Sequence, residues 1–249
     1  MIAFAAIAPH GDVDLAPELR AAMEELGRRS ERAQLDTVVV VTPHSVHVEG
    51  HLAVATAARV GPHETDRELA LAILDAFRQD DVPALAVSFG GNDPAEAEMP
   101  LDWGTEVPLA FLGAPRVVVV SPARDVRMEE HVRAGAAIAR AANHTSNSLL
   151  QGKRVGLVAS ADHGHAHDPD GPYGFDPAAA RYDVLLREIL ASNRLDFAPL
   201  AGDVEAAKAD SLWQLLVLQG AVGEGARADV LAYAAPTYYG MLVAEITPA

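Results

Sequence analysis

The chain contains no cysteine. That absence excludes a disulfide scaffold, a thiolate zinc site, an iron–sulfur cluster and cysteine nucleophile chemistry, and it leaves the redox compartment unread. Aromatic residues are scarce, with six Phe, five Tyr and two Trp in 249 residues, so a binding pocket has few aromatic anchors to draw on. Positive charge is scarce as well: 19 basic residues face 35 acidic ones, a formal charge of −16. Such a surface repels phosphate, and no Lys/Arg cluster offers a local exception, which argues against nucleic acid and against an anionic membrane face. No apolar run approaches the ~20 residues that a membrane span needs. The opening MIAFAAIAPHGD has no basic n-region and runs into Pro9-His10-Gly11-Asp12, unlike a signal-peptide cleavage site. The expectation is a soluble, cytoplasmic protein without a nucleic-acid or membrane partner.

What is present points to a folded domain. Half the residues are hydrophobic, which excludes a disordered chain, and the length suits one α/β unit with a full core. Ile2–Ala8, Thr37–Thr42, Val117–Ser121 and Arg154–Ala159 are short, β-branched apolar runs bounded by Pro, Gly or polar residues. Their near-continuous hydrophobicity predicts strands buried on both faces, in a parallel or mixed sheet covered by helices. His51–Thr56, Ala84–Phe89 and Met241–Ile246 are further strand candidates. Helical spacing of apolar residues appears over Leu15–Ser30, Arg67–Gln79, Glu129–Ala142, Pro177–Asn193 and Leu212–Val222. Strands alternating with helices predict a three-layer α/β fold, a central mostly parallel or mixed sheet flanked by helices. No repeat, low-complexity tract or linker divides residues 1–249, so one domain is expected. Gly90–Trp103 and Ala161–Pro177 read as the two long irregular stretches, the kind that carries function.

Histidines gather where strands end. The first candidate strand runs into APHGD, the second into VTPHSVH and another into ASADHGHAH. His10 and His44 thus sit just past buried strands, where α/β folds place their sites, and Asp162, His163, His165 and His167 enter a Gly- and Pro-rich loop. One strand-end histidine is more often a capping or surface residue; three such strands make coincidence a poor explanation. His63, His131 and His144 read as surface residues, and His47 and His51 as neighbours of His44 without a role of their own. Imidazoles converging with carboxylates suggest a divalent transition metal. Two His and one carboxylate with open positions is the ligand set of non-haem Fe(II) oxygenases, and zinc hydrolases use similar donors.

Several stretches, in order over essentially the whole chain, resemble one family: IAPHGD (7–12), VVVVTPHS (38–45), MPLDWGTEVPLAFLG (99–113), VASADHGHAHDPDGPYGFDP (158–177), LWQLLVLQGA (212–221) and YYGMLVAEI (238–246). They resemble the catalytic, LigB-type subunit of class III extradiol ring-cleavage dioxygenases, a family that includes protocatechuate 4,5-dioxygenase and the Memo-like proteins. The resemblance implies ring opening of a catechol or aminophenol by O2 at Fe(II), with zinc or manganese as alternative metals, in a homo-oligomer. It implies His10 and His44 as metal ligands, His165 as the acid–base histidine and Asp162 as an acidic neighbour that orients the site. The family's third ligand is a Glu, or a Cys in Memo-like members, just before the helix aligned here with LWQLLVLQGA. This chain has Lys208-Ala209-Asp210-Ser211 there, so Asp210 is the expected carboxylate, although an Asp ahead of an apolar helix equally serves as an N-cap. Glu205 and Glu245 are the reserves. The family's DHG is Asp102-Trp103-Gly104 here, which removes a histidine near substrate; Trp103 reads as a core or pocket-wall aromatic. Two rival readings stay open: a Memo-like binding protein, and a zinc or manganese hydrolase on the same ligands.

Overall fold

A computed structural model describes residues 2–113, 116–145, 153–192 and 194–249. The strands are β1 (Ile2–Ala8), β2 (Thr37–Val41), β3 (Leu52–Ala55), β4 (Arg59–Val60), β5 (His63–Thr65), β6 (Ala84–Val87), β7 (Glu98–Met99), β8 (Arg116–Ser121), β9 (Val155–Ser160), β10 (Arg227–Ala234) and β11 (Met241–Thr247). The helices are α1 (Pro17–Ala33), α2 (Arg67–Gln79), α3 (Trp103–Leu112), α4 (Met128–Thr145), α5 (Pro177–Ala191) and α6 (Leu212–Val222). All strands join one mixed sheet, in the order β10-β11-β1-β9-β2-β8-β5-β4-β7, with β3 and β6 branching from β8. This is the expected α/β architecture. No helix among the described residues is long and apolar enough to cross a membrane.

The centre of the sheet is parallel: β9 lies between β1 and β2, and β8 lies beyond β2. Side chains alternate across it. Ala5, Ile7, Val39 and Val41 enter the core shared with α2, α4, α5 and α6, while Phe4, Ala6, Ala8, Val38 and Val40 enter the one beneath α1 and α3. Both faces being dry, these strands read as unbroken apolar runs, and each buried Val contributes about 1.5–3 kcal/mol.

Where the structure departs from the sequence reading, the cause is exposure or local chemistry. The eight-residue β10 carries Arg227 and Asp229 on an edge and is half-exposed, so it shows no continuous apolar run. Helix α3 contains Pro108, which disguises it, yet Asp102 caps it by accepting Thr105 N at 3.0 Å. The tiny strand β7 lies within the stretch read as irregular, and β4 and β5 lie where the sequence predicts no element. The expected end of α5 at Asn193 lies outside the described residues.

Helix α6 crosses α4 nearly backbone to backbone. A Cβ on Gly220 would lie 1.8 Å from Val132 O, and one on Gly135 would lie 1.9 Å from Val217 O. The close crossing fixes α6, and with it the segment just before it, against the sheet.

Candidate metal centre

Register brings the first residues together. Ala8 of β1 pairs with Ser160 of β9, so His10 and Asp162 each lie two residues past the same rung. Val41 of β2 pairs with Ala159 on the other side of β9, and His44 follows three residues later. Three neighbouring parallel strands therefore deliver His10, Asp162 and His44 to one end of the sheet, the usual place for an α/β site. Asp210 arrives from the segment preceding α6.

His10 Nε2 lies 3.0 Å from His44 Nε2, 3.5 Å from Asp210 Oδ2 and 3.4 Å from Asp162 Oδ2. His44 Nε2 is 3.6 Å from Asp210 Oδ2. His10, His44 and Asp210 form a group able to hold a metal ion. Asp210 does not cap α6: its N-cap is Ser211, without a side-chain capping bond, and Asp210 Oδ1 is buried without a hydrogen-bond partner. A buried carboxylate with one oxygen unpartnered and the other turned to two imidazoles suits a cation. Glu205 is exposed, and Glu245 is held by Arg29 at 2.7 Å, so neither reserve joins the cluster.

The cluster's charges oppose one another. Burial pushes the His10 imidazole down, but Asp162, Asp210 and Asp102 outweigh it and raise it from 6.5 to about 9. His44, lowered by its own burial and by His10, falls to about 4. Burial pushes Asp162 above its ordinary value. Asp210 ends below its own, because His10, His165 and His44 overcome its burial. Two imidazoles at 3.0 Å thus favour a proton on His10 and oppose one on His44. A divalent cation would take the proton's place, since metal binding requires both rings neutral.

Proline inside α3 has a consequence for His10. Pro108 has no N–H to give the carbonyl of Gly104, four residues earlier. That carbonyl instead accepts Ser160 Oγ–H. With its proton so engaged, Ser160 Oγ accepts from His10 Nδ1–H at 3.1 Å, so that once the ring is neutral its Nε2 lone pair faces His44 and Asp210. Gly104 is needed for the approach, as a Cβ there would meet Thr42 Oγ1 at 2.3 Å. Thr42 Oγ1 in turn accepts His44 N at 3.2 Å and donates to Asp102 Oδ1 at 2.9 Å. The MPLDWG stretch thus braces both histidines.

The loop after β9 sorts its own histidines. His163 is fully buried, its Nδ1 3.0 Å from Ser211 Oγ, and burial lowers it to about 4. His167 Nε2 is bound to Asp183 Oδ2 at 2.8 Å. His165 alone of the three lines the cavity, and its Nδ1–H donates to His163 O at 2.7 Å, so its Nε2 carries the lone pair when the ring is neutral. Asp183, buried on α5, also accepts Gly164 N at 2.8 Å and Tyr233 OH at 2.7 Å. The loop is therefore clamped on both sides of His165.

The cavity holds about 460 Å³. His10, His44, Asp162, His165 and Asp210 line it, with Trp103, Tyr173, Tyr238 and Tyr239 as aromatic walls and Arg124 and Lys208 as cations. Trp103 is a wall residue and not a core one: 57% exposed, its ring centroid lies 4.3 Å from that of His44. His165 stacks on Tyr239 at 5.7 Å. Of the histidines read as bystanders, His51 turns its Nδ1 to Glu49 O, His47 lines a side chamber next to Asp210, and His63 lies half-buried in β5. His131 is not a surface residue; it is fully buried on α4, because its apolar helix face packs inward. The side chain of His144 lies outside the described residues. Ser160, Pro108, Arg124 and Lys208 went unnoticed in the sequence. Only Pro108, inside an otherwise helical stretch, carried a local signal.

A mixed α/β sheet with a two-histidine, one-carboxylate cluster able to hold a metal at the ends of its parallel strands places the chain in the α/β class. Residues 9–243 match the family of the catalytic LigB subunit of aromatic ring-opening dioxygenases, and the chain belongs to that family. Among solved structures it is similar to an uncharacterized protein of Escherichia coli K12, with a TM-score of 0.64 and 15% identity over 97% of this chain and 98% of that one. At that identity the likeness speaks for the fold alone. No curated protein matches the sequence.

Proposed function

We propose that the protein is a non-haem Fe(II)-dependent extradiol dioxygenase that opens the ring of a catechol or aminophenol with O2. His10, His44 and Asp210 hold the metal in this reading, His165 is the acid–base group and Asp162 orients His10. The observation that supports it best is one cavity holding both the three-donor cluster and a histidine whose free Nε2 is set by its own loop. When bound, ferrous iron would supply the Lewis acidity and the one-electron chemistry that join the substrate to dioxygen. The chain does the rest. Asp162 Oδ1 accepts His10 N at 3.2 Å and holds the turn after β1. His165 Nε2 takes a proton from a substrate hydroxyl and later returns it to the leaving oxygen. Trp103 and the three tyrosines shape an aromatic slot beside the cluster. Trp103 offers its ring face to His44 and not a second imidazole, so the acid–base work falls to His165 alone. Residues 1–249 act as one catalytic domain in a cytoplasmic homo-oligomer.

The test is anaerobic loading with Fe(II), then exposure to air with a panel of catechols and aminophenols. A yellow ring-opened product is expected. His10→Ala or His44→Ala should lose the iron, whereas His165→Ala should keep it and lose turnover. Stoichiometric zinc or manganese in protein purified without chelators, with no product across the panel, would overturn the dioxygenase reading.

A further inference from the structure

Among the described residues the sheet has three edge strands, β10, β7 and β6, and two of them are guarded. β10 carries Arg227 and Asp229, and its register shifts between Val230 and Ala232. β7 is two residues long and begins with the exposed Glu98. Charges, bulges and extreme shortness keep an edge from pairing with another chain. β6, Ala84-Leu85-Ala86-Val87, has neither charge nor bulge. Residues 82–92 hold no ionisable group, in a chain where 22% of residues are charged. Apolar side chains stand open around it: Leu85 is 42% exposed, Phe89 67%, and Leu71 on α2 49%.

The backbone fixes what can be added. Leu52 N donates to Pro83 O at 2.9 Å and Thr56 N to Val87 O at 2.8 Å, so the odd-numbered residues turn their polar groups toward β3. Alternation turns those of Ala84, Ala86 and Ser88 outward, where no strand lies. A copy of β6 laid antiparallel, with Ala86 on the two-fold axis, pairs Ala86 with itself and Ala84 with Ser88 of the copy, which uses each of those outward groups. The same register sets Leu85 against Val87 of the copy and Phe89 against its Pro83, so apolar side chains meet across one face. On the other face Ala84 and Ala86 line a groove of about 600 Å³ together with Leu71 and Leu74 of α2, and no large side chain of β6 blocks the approach.

Charge selects the occupant. Each copy carries −16, so two copies repel wherever acidic surfaces face each other. The uncharged edge is a stretch where they meet without that cost. We propose that β6 is an interaction surface for a second copy of this chain, paired antiparallel about Ala86 into one continuous sheet. The proposal rests on the homo-oligomer reading and is independent of the metal and the substrate.

The experiment is sedimentation equilibrium of the full chain from about 1 to about 100 μM. Wild type should reach twice the mass of one chain. Ala86→Pro removes an outward N–H and leaves the pairing with β3 intact, and Leu85→Lys sets a charge into the apolar face. Each should raise the dissociation constant at least about tenfold, while Val230→Lys on the guarded β10 should leave it within about twofold. Hydrogen exchange supplies a readout that needs no variant: the amides of Ala84, Ala86 and Ser88 should exchange at least about tenfold more slowly in concentrated than in dilute wild type. Should either variant misfold, that comparison decides, and equal rates overturn the surface. Wild type that remains a single chain at about 100 μM overturns the surface and the homo-oligomer reading together, and leaves the edge to a strand of another protein. An assembly that neither β6 variant weakens overturns the β6 surface alone.

Discussion

Replacing Ser160 with alanine removes one oxygen from a site where two buried groups depend on it. Ser160 is fully buried at the end of β9; it receives His10 Nδ1–H and donates to Gly104 O. Without it an imidazole N–H and a backbone carbonyl are stranded, at about 1–3 kcal/mol each. The loss of stability should therefore be about 2–6 kcal/mol, a large share of the roughly 5–15 kcal/mol typical of a domain. The second effect is specific to the metal. Nothing then holds the proton on Nδ1, so the Nε2 lone pair facing His44 and Asp210 is no longer guaranteed. Outer partners of ligating histidines are commonly worth about 10–100-fold in metal affinity, and a loss of that size is expected here. Urea unfolding of the metal-free protein gives the first quantity, and chelator competition for Fe(II) gives the second. Pro108→Ala is a companion: it returns an N–H to Gly104 O in competition with Ser160 and should weaken metal binding in the same direction, while leaving α3 intact. Unchanged metal affinity in Ser160→Ala, alongside the stability loss, would refute the tautomer account and reduce Ser160 to a packing role.

Other expectations lie further from the metal. Asp183→Ala strands the three donors that clamp the loop around His165, so turnover and stability should both fall, the latter by about 3–6 kcal/mol, with iron stoichiometry retained; urea unfolding within about 1 kcal/mol of wild type would refute the clamp. Gly220→Ala puts a methyl group 1.8 Å from Val132 O and should cost about 3 kcal/mol, read as a drop in Tm, by forcing α4 and α6 apart. His131, buried with its Nε2 unpartnered, is lowered from 6.5 by its burial, against smaller opposing effects from Glu130 and Asp125. The unfolded chain therefore binds a proton below pH 6.5 that the folded one refuses, so this contribution is present above 6.5 and lost as pH falls through the lowered value. His131→Gln should flatten that part of the acid limb in urea midpoints measured against pH; an unchanged slope would refute the assignment.

Much of this was legible along the chain because it is local. Val38–Val41 and Val117–Val120 announce doubly covered strands by having no polar face, and the helical spacing of apolar residues announces α2 and α5. His10 and His44 stood out because each follows such a strand directly. The half-exposed β10 and the proline-bearing α3 did not announce themselves, since periodicity weakens at an edge and Pro108 argues against the helix it sits in.

Whether Asp210 caps a helix or faces a cation was undecidable from its neighbours in sequence, because both roles want the same residue before an apolar helix. Which of His163, His165 and His167 stays free could not be read from DHGHAH either; it depends on Ser211 and Asp183, which come from other elements. The service of Pro108 to Ser160, and of Ser160 to His10, exists only because β1, β9 and α3 meet. Chain-local patterning determines which segments bury themselves, since hydrophobic period and capping act over a few residues. The site's protons and charges are decided by groups tens to hundreds of residues apart, and only the folded register of the sheet sets their distances.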